Sequence, residues 1–381
     1  MISKFTKVML STIALASTFA TRATILSDSF LGLEQGALQG ALPGRIGNDP
    51  FQSFSNPAWA PEFSGVGLVH TSVLSHLNGR AAFEKPSQLM ALALQERKNT
   101  LGYGFFAMIP SGAQPILDTG DPLERSSPWV NMNRQLVYAA NFSKSFADES
   151  LRVGLLVPVT FDAEAMATTH LETADLQSRA SVSLKPHLSW ALGTHFTPAS
   201  LKNWGFSLFY KEPSRAQVKA EIEGNVPLLS LDLNFQGESA YAYDPRRASL
   251  NVIHQEGPWS LGFRARYSQW SKYALPFVVV TNASLNIEDT TPEGKAENTW
   301  DFALGAERGI GESQLLALSL GWKQSPFKKI DMFHDADHYI LGMGWMMEFS
   351  KIWSLSTTVR FHVLDQGVLY TWAGLGLGYR L

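Results

Sequence analysis

Three arginines are the first residues with a chemical use: Arg264 and Arg266, two positions apart, and Arg360 further on. Guanidinium groups on one strand face can hold a carboxylate headgroup through charge-assisted hydrogen bonds. They can also close an internal salt-bridge network with Glu348 or with acids of the N-terminal plug segment. Asp331, His334, Asp335, Asp337 and His338 form an acidic, histidine-bearing cluster. Its residue types can ligate a metal, but a solvated loop carries the same residues, and neither a metal nor a cofactor is expected. Phe51, Phe54 and Trp59 could line an apolar pocket or pack one segment of chain against another. Among them lies Asn56-Pro57-Ala58. Asn56 can close an Asx-turn, and Pro57 fixes φ and lacks a donor. Covalent catalysis has little to work with. There is no cysteine, no Gly-x-Ser-x-Gly elbow, no His-Glu-x-x-His and no P-loop. A Ser-His-acid triad assembles in space rather than in sequence, so a membrane-barrel hydrolase stays as an alternative, but no enzyme is expected.

The arginines need an element that turns them to water, and the pattern around them supplies it. Trp259, Leu261, Phe263, Ala265 and Tyr267 alternate with Ser260, Gly262, Arg264, Arg266 and Ser268. A strand alternates its side chains between two faces. In a membrane barrel those faces meet lipid and a polar lumen. The pattern recurs where Leu151, Val153, Leu155, Val157, Val159 and Phe161 oppose Arg152, Gly154 and Thr160. It recurs again at Tyr339–Phe349, and where Trp353 to Phe361 oppose Ser354 to His362. These runs last about ten residues, the length of a tilted membrane-spanning strand.

Composition agrees. The 381 residues are 45% hydrophobic and 17% charged, with 11 Trp, 23 Phe and a net charge of −3. Soluble proteins carry about 25% charged residues, and nothing here attracts nucleic acid. Lys4 and Lys7 precede an apolar run from Val8 to Ala20, with small-residue sites near Ala20 and Ala23. Residues 1–23 therefore read as an export signal. No later stretch supplies the ~20 apolar residues of a spanning helix.

Short polar turns are expected near 97–99, 147–150, 198–203, 257–258, 310–312 and 350–352. Longer irregular segments are expected at 78–85, 111–133, 162–175, 225–246, 284–297, 324–337 and 363–368. That spacing makes residues 64–381 an all-β, transmembrane antiparallel β-barrel of about fourteen strands, with both termini in the periplasm. Residues 24–63 do not alternate, and they carry the apolar anchors Phe30, Leu31, Leu33, Phe51, Phe54 and Trp59. They are expected to fill the lumen as an N-terminal plug. A general or structural barrel whose plug never opens is a further alternative.

The segment Asn48-Asp49-Pro50 through Asn56-Pro57-Ala58 resembles the hatch of the FadL family of outer-membrane transporters for long-chain fatty acids and other hydrophobic molecules. That family carries an acidic residue and then Asn-Pro-Ala just before its first strand. Tyr267 to Tyr273, Asn298 to Gly305, Ser325-Pro326, Asp335 to Tyr339 and Gly376 to Leu381 resemble its later strand ends. The resemblance implies passive uptake across the Gram-negative outer membrane. It implies outer-membrane lipid around the wall, a hydrophobic small-molecule ligand, and the barrel-assembly machinery during biogenesis. It also implies that the hatch shifts when ligand binds and that ligand leaves sideways between strands. The sequence does not place that gap; Pro110 and Gly112, ending the third strand, are the local breakers that point toward one.

Overall fold

The protein is described from a computed structural model, which covers residues 56–62, 64–77, 80–81, 87–111, 137–172, 175–226, 231–271, 277–282, 295–311, 313–326, 337–350, 352–364 and 367–380. The expected export signal, plug residues 24–55 and Gly112 lie outside the described residues.

A short 3₁₀ helix, Pro57–Glu62, leads into one large sheet. Its segments are β1 (Gly65–Leu77), β2 (Arg80–Ala81), β3 (Ser87–Lys98), β4 (Leu101–Ser111), β5 (Val137–Phe146), β6 (Leu151–Glu172) and β7 (Asp175–Leu188). They continue as β8 (Ala191–Phe196), β9 (Trp204–Lys211), β10 (Ser214–Val226), β11 (Leu231–Asp244), β12 (Arg246–Glu256) and β13 (Trp259–Gln269). The last are β14 (Phe277–Asn282), β15 (Thr299–Ile310), β16 (Gln314–Lys323), β17 (His338–Glu348), β18 (Trp353–Leu364) and β19 (Gly367–Arg380). The segments β7/β8, β9/β10, β11/β12 and β13/β14 are four wall strands, each interrupted once, and β2 is a hairpin tip. The wall thus has fourteen antiparallel strands, as its alternation requires. It closes between β1 and β19, from Gly65↔Arg380 to Ser75↔Tyr370.

The two faces of the wall follow the alternation. On β13, Trp259, Leu261 and Phe263 point outward and exposed, while Ser260, Gly262, Arg266 and Ser268 are buried inside. Large apolar side chains stay exposed around the exterior: Phe142 is 56% exposed, Leu208 59%, Leu304 57% and Met343 54%. A water-facing surface would not carry so continuous an apolar band, and hydrocarbon is the solvent that suits it. Aromatic pairs mark its edges. Trp353 meets Tyr379 at 4.8 Å near the short turns. Trp190 meets Tyr210 at 5.4 Å, and Tyr267 meets Trp300 at 5.2 Å, at the opposite edge. From Trp259 to Tyr267 the strand runs about 27 Å at ~3.4 Å per residue, which a tilt of ~35–45° turns into roughly 20 Å of height, most of an apolar band ~25 Å tall.

At the far edge the wall changes. Pro158, Pro186, Pro213 and Pro245 lie on four successive wall strands, near the level where the last three of these are interrupted; β6, which carries Pro158, runs through. Proline cannot donate to a ladder. Side chains and off-ladder bonds knit this level instead. Ser189 donates from N to Pro158 O at 3.0 Å and from Oγ to Glu212 O at 2.9 Å. Arg246 Nη2 reaches Glu212 at 2.8 Å. Beyond it, β10 leaves its wall neighbour and pairs in parallel with β6, Val218↔Ala163 to Asn225↔His170, while β11 pairs with β14.

This corrects two expectations. Residues 162–172 and 231–244 are strand rather than irregular loop. The β6–β7 and β10–β11 hairpins outrun the membrane, so a strand length set by bilayer thickness ends them too early. The six expected short turns are present, with 312 and 351 outside the described residues. At 147–150 three non-glycine residues in a row, Ala147, Asp148 and Glu149, take left-handed φ of 49°, 52° and 69°.

Candidate functional site

The tripeptide Asn56-Pro57-Ala58 stands inside the barrel near the short-turn end. Asn56 precedes the 3₁₀ helix and caps it. Its Oδ1 accepts a hydrogen bond from Ala58 N at 3.0 Å, the expected Asx-turn, and its main-chain oxygen accepts one from Trp59 N at 3.0 Å. Pro57 occupies the first helical position, where the missing N–H costs nothing. Asn56 and Ala58 are 0% exposed and Trp59 4%. Asn56 Nδ2 also donates to the wall at Thr194 O, 3.3 Å.

The wall receives this turn through two glycines in register, Gly154 on β6 and Gly193 on β8. A Cβ on Gly154 would fall 2.2 Å from the carbonyl carbon of Pro57, and one on Gly193 would fall 1.9 Å from Asn56 Oδ1. Only a residue without a Cβ lets the backbones approach so closely. Gly205 on β9 repeats the device one strand over, where a Cβ would fall 2.7 Å from the ring of His195.

His195 completes the seat. It is buried, its Nδ1 lies 2.9 Å from Ser207 Oγ, and its Nε2 lies 3.2 Å from Thr197 Oγ1. Its ring meets Trp59 at 4.1 Å. The Arg152 guanidinium lies over the same indole, 5.9 Å from a ring centroid. Ser207 and His195 are a hydroxyl and an imidazole in contact, but the second imidazole nitrogen meets a threonine. Among the described residues no carboxylate orients the ring as a triad requires.

Trp59, read from sequence as pocket lining or packing, is engaged by Arg152 and His195 of the wall. Phe51 and Phe54 lie outside the described residues. Arg264 and Arg266 point inward at the other end of the lumen, where they join Arg247, Lys323 and Asp301 around a cavity of about 20 Å³. Arg266 Nε is 3.1 Å from Asp301 Oδ2, with both side chains about nine-tenths buried. The ion pair present here joins Arg266 to Asp301 of the wall, an acid that the sequence reading does not name as a partner. Arg360 is buried on β18, its Cγ 3.6 Å from where a Gly342 Cβ would stand, and is not part of that cavity's lining.

Several motif residues meet at the far rim. Ser271 N donates to Asn298 Oδ1 at 3.1 Å, Glu297 N to Pro326 O at 2.8 Å, and Ser325 N to Asp337 Oδ1 at 2.9 Å. Asp331, His334 and Asp335 lie outside the described residues, and no metal-binding group of three or more ligands occurs among the described ones.

Gly154, Gly193, Gly205, His195 and Arg152 are site residues that the sequence reading did not single out as such. Their signal is a glycine pair in cross-strand register, visible only once β6 and β8 are known to be neighbours.

No family model and no curated protein matches this chain. Solved structures do. A FadL homologue of Pseudomonas aeruginosa superposes with a TM-score of 0.55 at 13% identity, over 95% of this chain and 98% of that one. The toluene transporter TbuX of Ralstonia pickettii gives 0.60 at 14%, over 91% and 97%. The toluene transporter TodX of Pseudomonas putida gives 0.55 at 12%, over 91% and 97%. With the inward hatch turn and the fourteen-strand wall, this similarity identifies the fold as that of the FadL-type outer-membrane transporters.

Proposed function

We propose that the barrel sits in the outer membrane of a Gram-negative cell and passively admits hydrophobic small molecules, long-chain fatty acids or aromatic hydrocarbons. Residues 1–23 direct export, residues 24–63 form the plug, and the strands from 64 onward form the wall. Lipid surrounds the wall, and the barrel-assembly machinery inserts it. One observation carries the reading: Asn56-Pro57-Ala58 is buried against a glycine seat inside the lumen. Such a seat holds by fit and one side-chain hydrogen bond to the wall, not by pairing into the wall's ladder. A segment so held can shift while strand pairing goes on satisfying the wall's backbone. Two solved structures of this fold are named toluene transporters and a third a FadL homologue. On that route ligand passes the arginine tier, where Arg264 and Arg266 offer donors to an anionic headgroup, with Arg360 on β18 as a further donor outside that tier. It then meets the hatch, and Phe51, Phe54 and Trp59 supply apolar contact.

The test is uptake of a labelled long-chain fatty acid and of an aromatic hydrocarbon in cells carrying equal amounts of folded barrel. Asn56→Ala and Pro57→Ala are expected to give a partial loss, because a hatch shifts only as far as ligand affinity differs between its two states. Unchanged uptake in both variants would reduce the tripeptide to a structural turn. A second reading, a structural barrel, draws on the tight arginine tier, whose cavity of about 20 Å³ has room for little more than one water. If the wild type moves neither ligand, that reading takes the lead.

A further inference from the structure

We propose that Arg152 is the positioning residue that holds the hatch shut, and that the short turn 147–150 sets its grip. Two contacts converge on it, and a third lies one residue further out. Its guanidinium lies over the Trp59 indole. Its Nη2 is 3.4 Å from Glu149 Oε2. Glu149 is paired in turn with Arg97 of β3. Arg97 extends the link to the other end of the hatch, because its backbone N donates at 2.8 Å to the hydroxyl of Ser64, the residue just before β1. The segment is thus tied at Trp59 by Arg152, which Glu149 holds, and at its exit by the Arg97 backbone, whose side chain pairs with the same Glu149.

The turn that presents Glu149 is strained. L-residues enter the left-handed region against a steric cost, and Ala147, Asp148 and Glu149 do so in succession. Such conformations persist only where the surroundings enforce them; here the β5–β6 ladder, closed at Phe146↔Leu151, and the bond from Ser150 N to Ala147 O fix the backbone, and the two arginines hold the Glu149 side chain it presents. The docked hatch also carries a cost of its own. Trp59 Nε1 is buried without a hydrogen-bond partner among the described residues, and an orphaned donor weakens the state that buries it. The closed state is therefore held by the Arg152–Trp59 contact and opposed by the indole's unmet donor. That balance suits an element meant to move. This inference concerns what holds the hatch, not what passes it.

The chain has no cysteine, so a single Ala58→Cys gives a clean reporter. Position 58 is 0% exposed when docked, and the rate at which a membrane-impermeant maleimide labels it in proteoliposomes reads hatch release. Adding Arg152→Gln is expected to speed labelling about three- to thirtyfold, the span that a cation–π contact supports. Arg152→Lys should restore part of the protection, since it keeps a cation but not the planar group. Glu149→Gln should speed labelling less than Arg152→Gln. Raised salt should speed labelling in the parent and have little effect in Glu149→Gln, because the partly exposed ion pairs are screened. Labelling of a folded Arg152→Gln barrel at the parent rate would overturn the proposal. If that variant does not fold, Glu149→Gln decides alone, and parental rate with parental salt response would overturn it. Uptake plays no part in the readout, so failure of this clamp and failure of the transport reading remain separate results.

Discussion

The two ends of the lumen are built on opposite terms. Near the short turns the wall offers Gly154 and Gly193, and a neutral turn of chain fits against them with its backbone. Near the far rim the wall offers Arg247, Arg264, Arg266 and Lys323, with Asp301 among them. The first contact depends on shape and tolerates no added carbon. The second depends on charge, and its members are held because buried ions must be paired. An element held by fit can leave and return without stranding a charge, whereas a buried ion pair cannot part so cheaply. On the proposed reading, the moving part belongs at the glycine end and the fixed part at the arginine end.

The sharpest way to break this contrast is Asp301→Asn. It leaves Arg266 with a neutral partner in a site about nine-tenths buried, and breaking a buried pair costs roughly 3–5 kcal/mol. Urea unfolding of the detergent-solubilised barrel measures it. The double change Arg266→Met with Asp301→Leu should recover most of that loss, because apolar pairs often replace buried ion pairs without penalty. A single change that costs nothing would show that the far tier is not held by charge.

Next in size is the exterior control. Arg at Phe263 faces hydrocarbon and should cost about 2–4 kcal/mol near the midplane. Arg at Gly262, one residue away on the lumen side, should cost much less provided it finds room. Equal costs in equilibrium unfolding would reverse the inner and outer faces on which the comparison rests. Gly193→Val then tests the glycine end. Overpacking should weaken the docked hatch by about 1–3 kcal/mol while the wall's unfolding midpoint hardly moves. Liposome swelling with a small sugar should show the faster leak. An unchanged leak would mean that the seat does not hold the closure. The smallest effect is Asn56→Ala, where losing the cap of a short helix should cost roughly 0.5–2 kcal/mol, read as faster proteolysis of the plug in a folded barrel.

Sequence made the wall legible because a lipid face and a lumen face impose the same period of two on every strand. The faces of β13 and β17 follow from alternation alone. So does the role of Asn56, since an Asx-turn needs only neighbours in the chain. The seat was illegible for the opposite reason. Gly154 and Gly193 mean nothing singly and everything in register, and register across strands is a tertiary fact. The upper hairpins were missed because their ladders continue past the bilayer, where membrane thickness no longer sets strand length. Arg264 and Arg266 were found, but their companion Arg247 sits on the preceding strand and Lys323 two wall strands further on, and no linear motif links them.

The closure of the wall has a consequence in time. Gly65 pairs with Arg380 and Ser75 with Tyr370, so the last seam joins residues separated by almost the whole chain. Pairings of such high contact order form late, because the entropy of closing so long a loop must be met first. The hatch lies immediately before β1, the strand that makes this seam, yet it seats on β6 and β8. It must therefore be inside while the sheet is still open, or thread in afterwards through a finished wall. A hatch added in trans as a peptide to a barrel refolded from residue 64 onward should protect the seat only when it is present before closure.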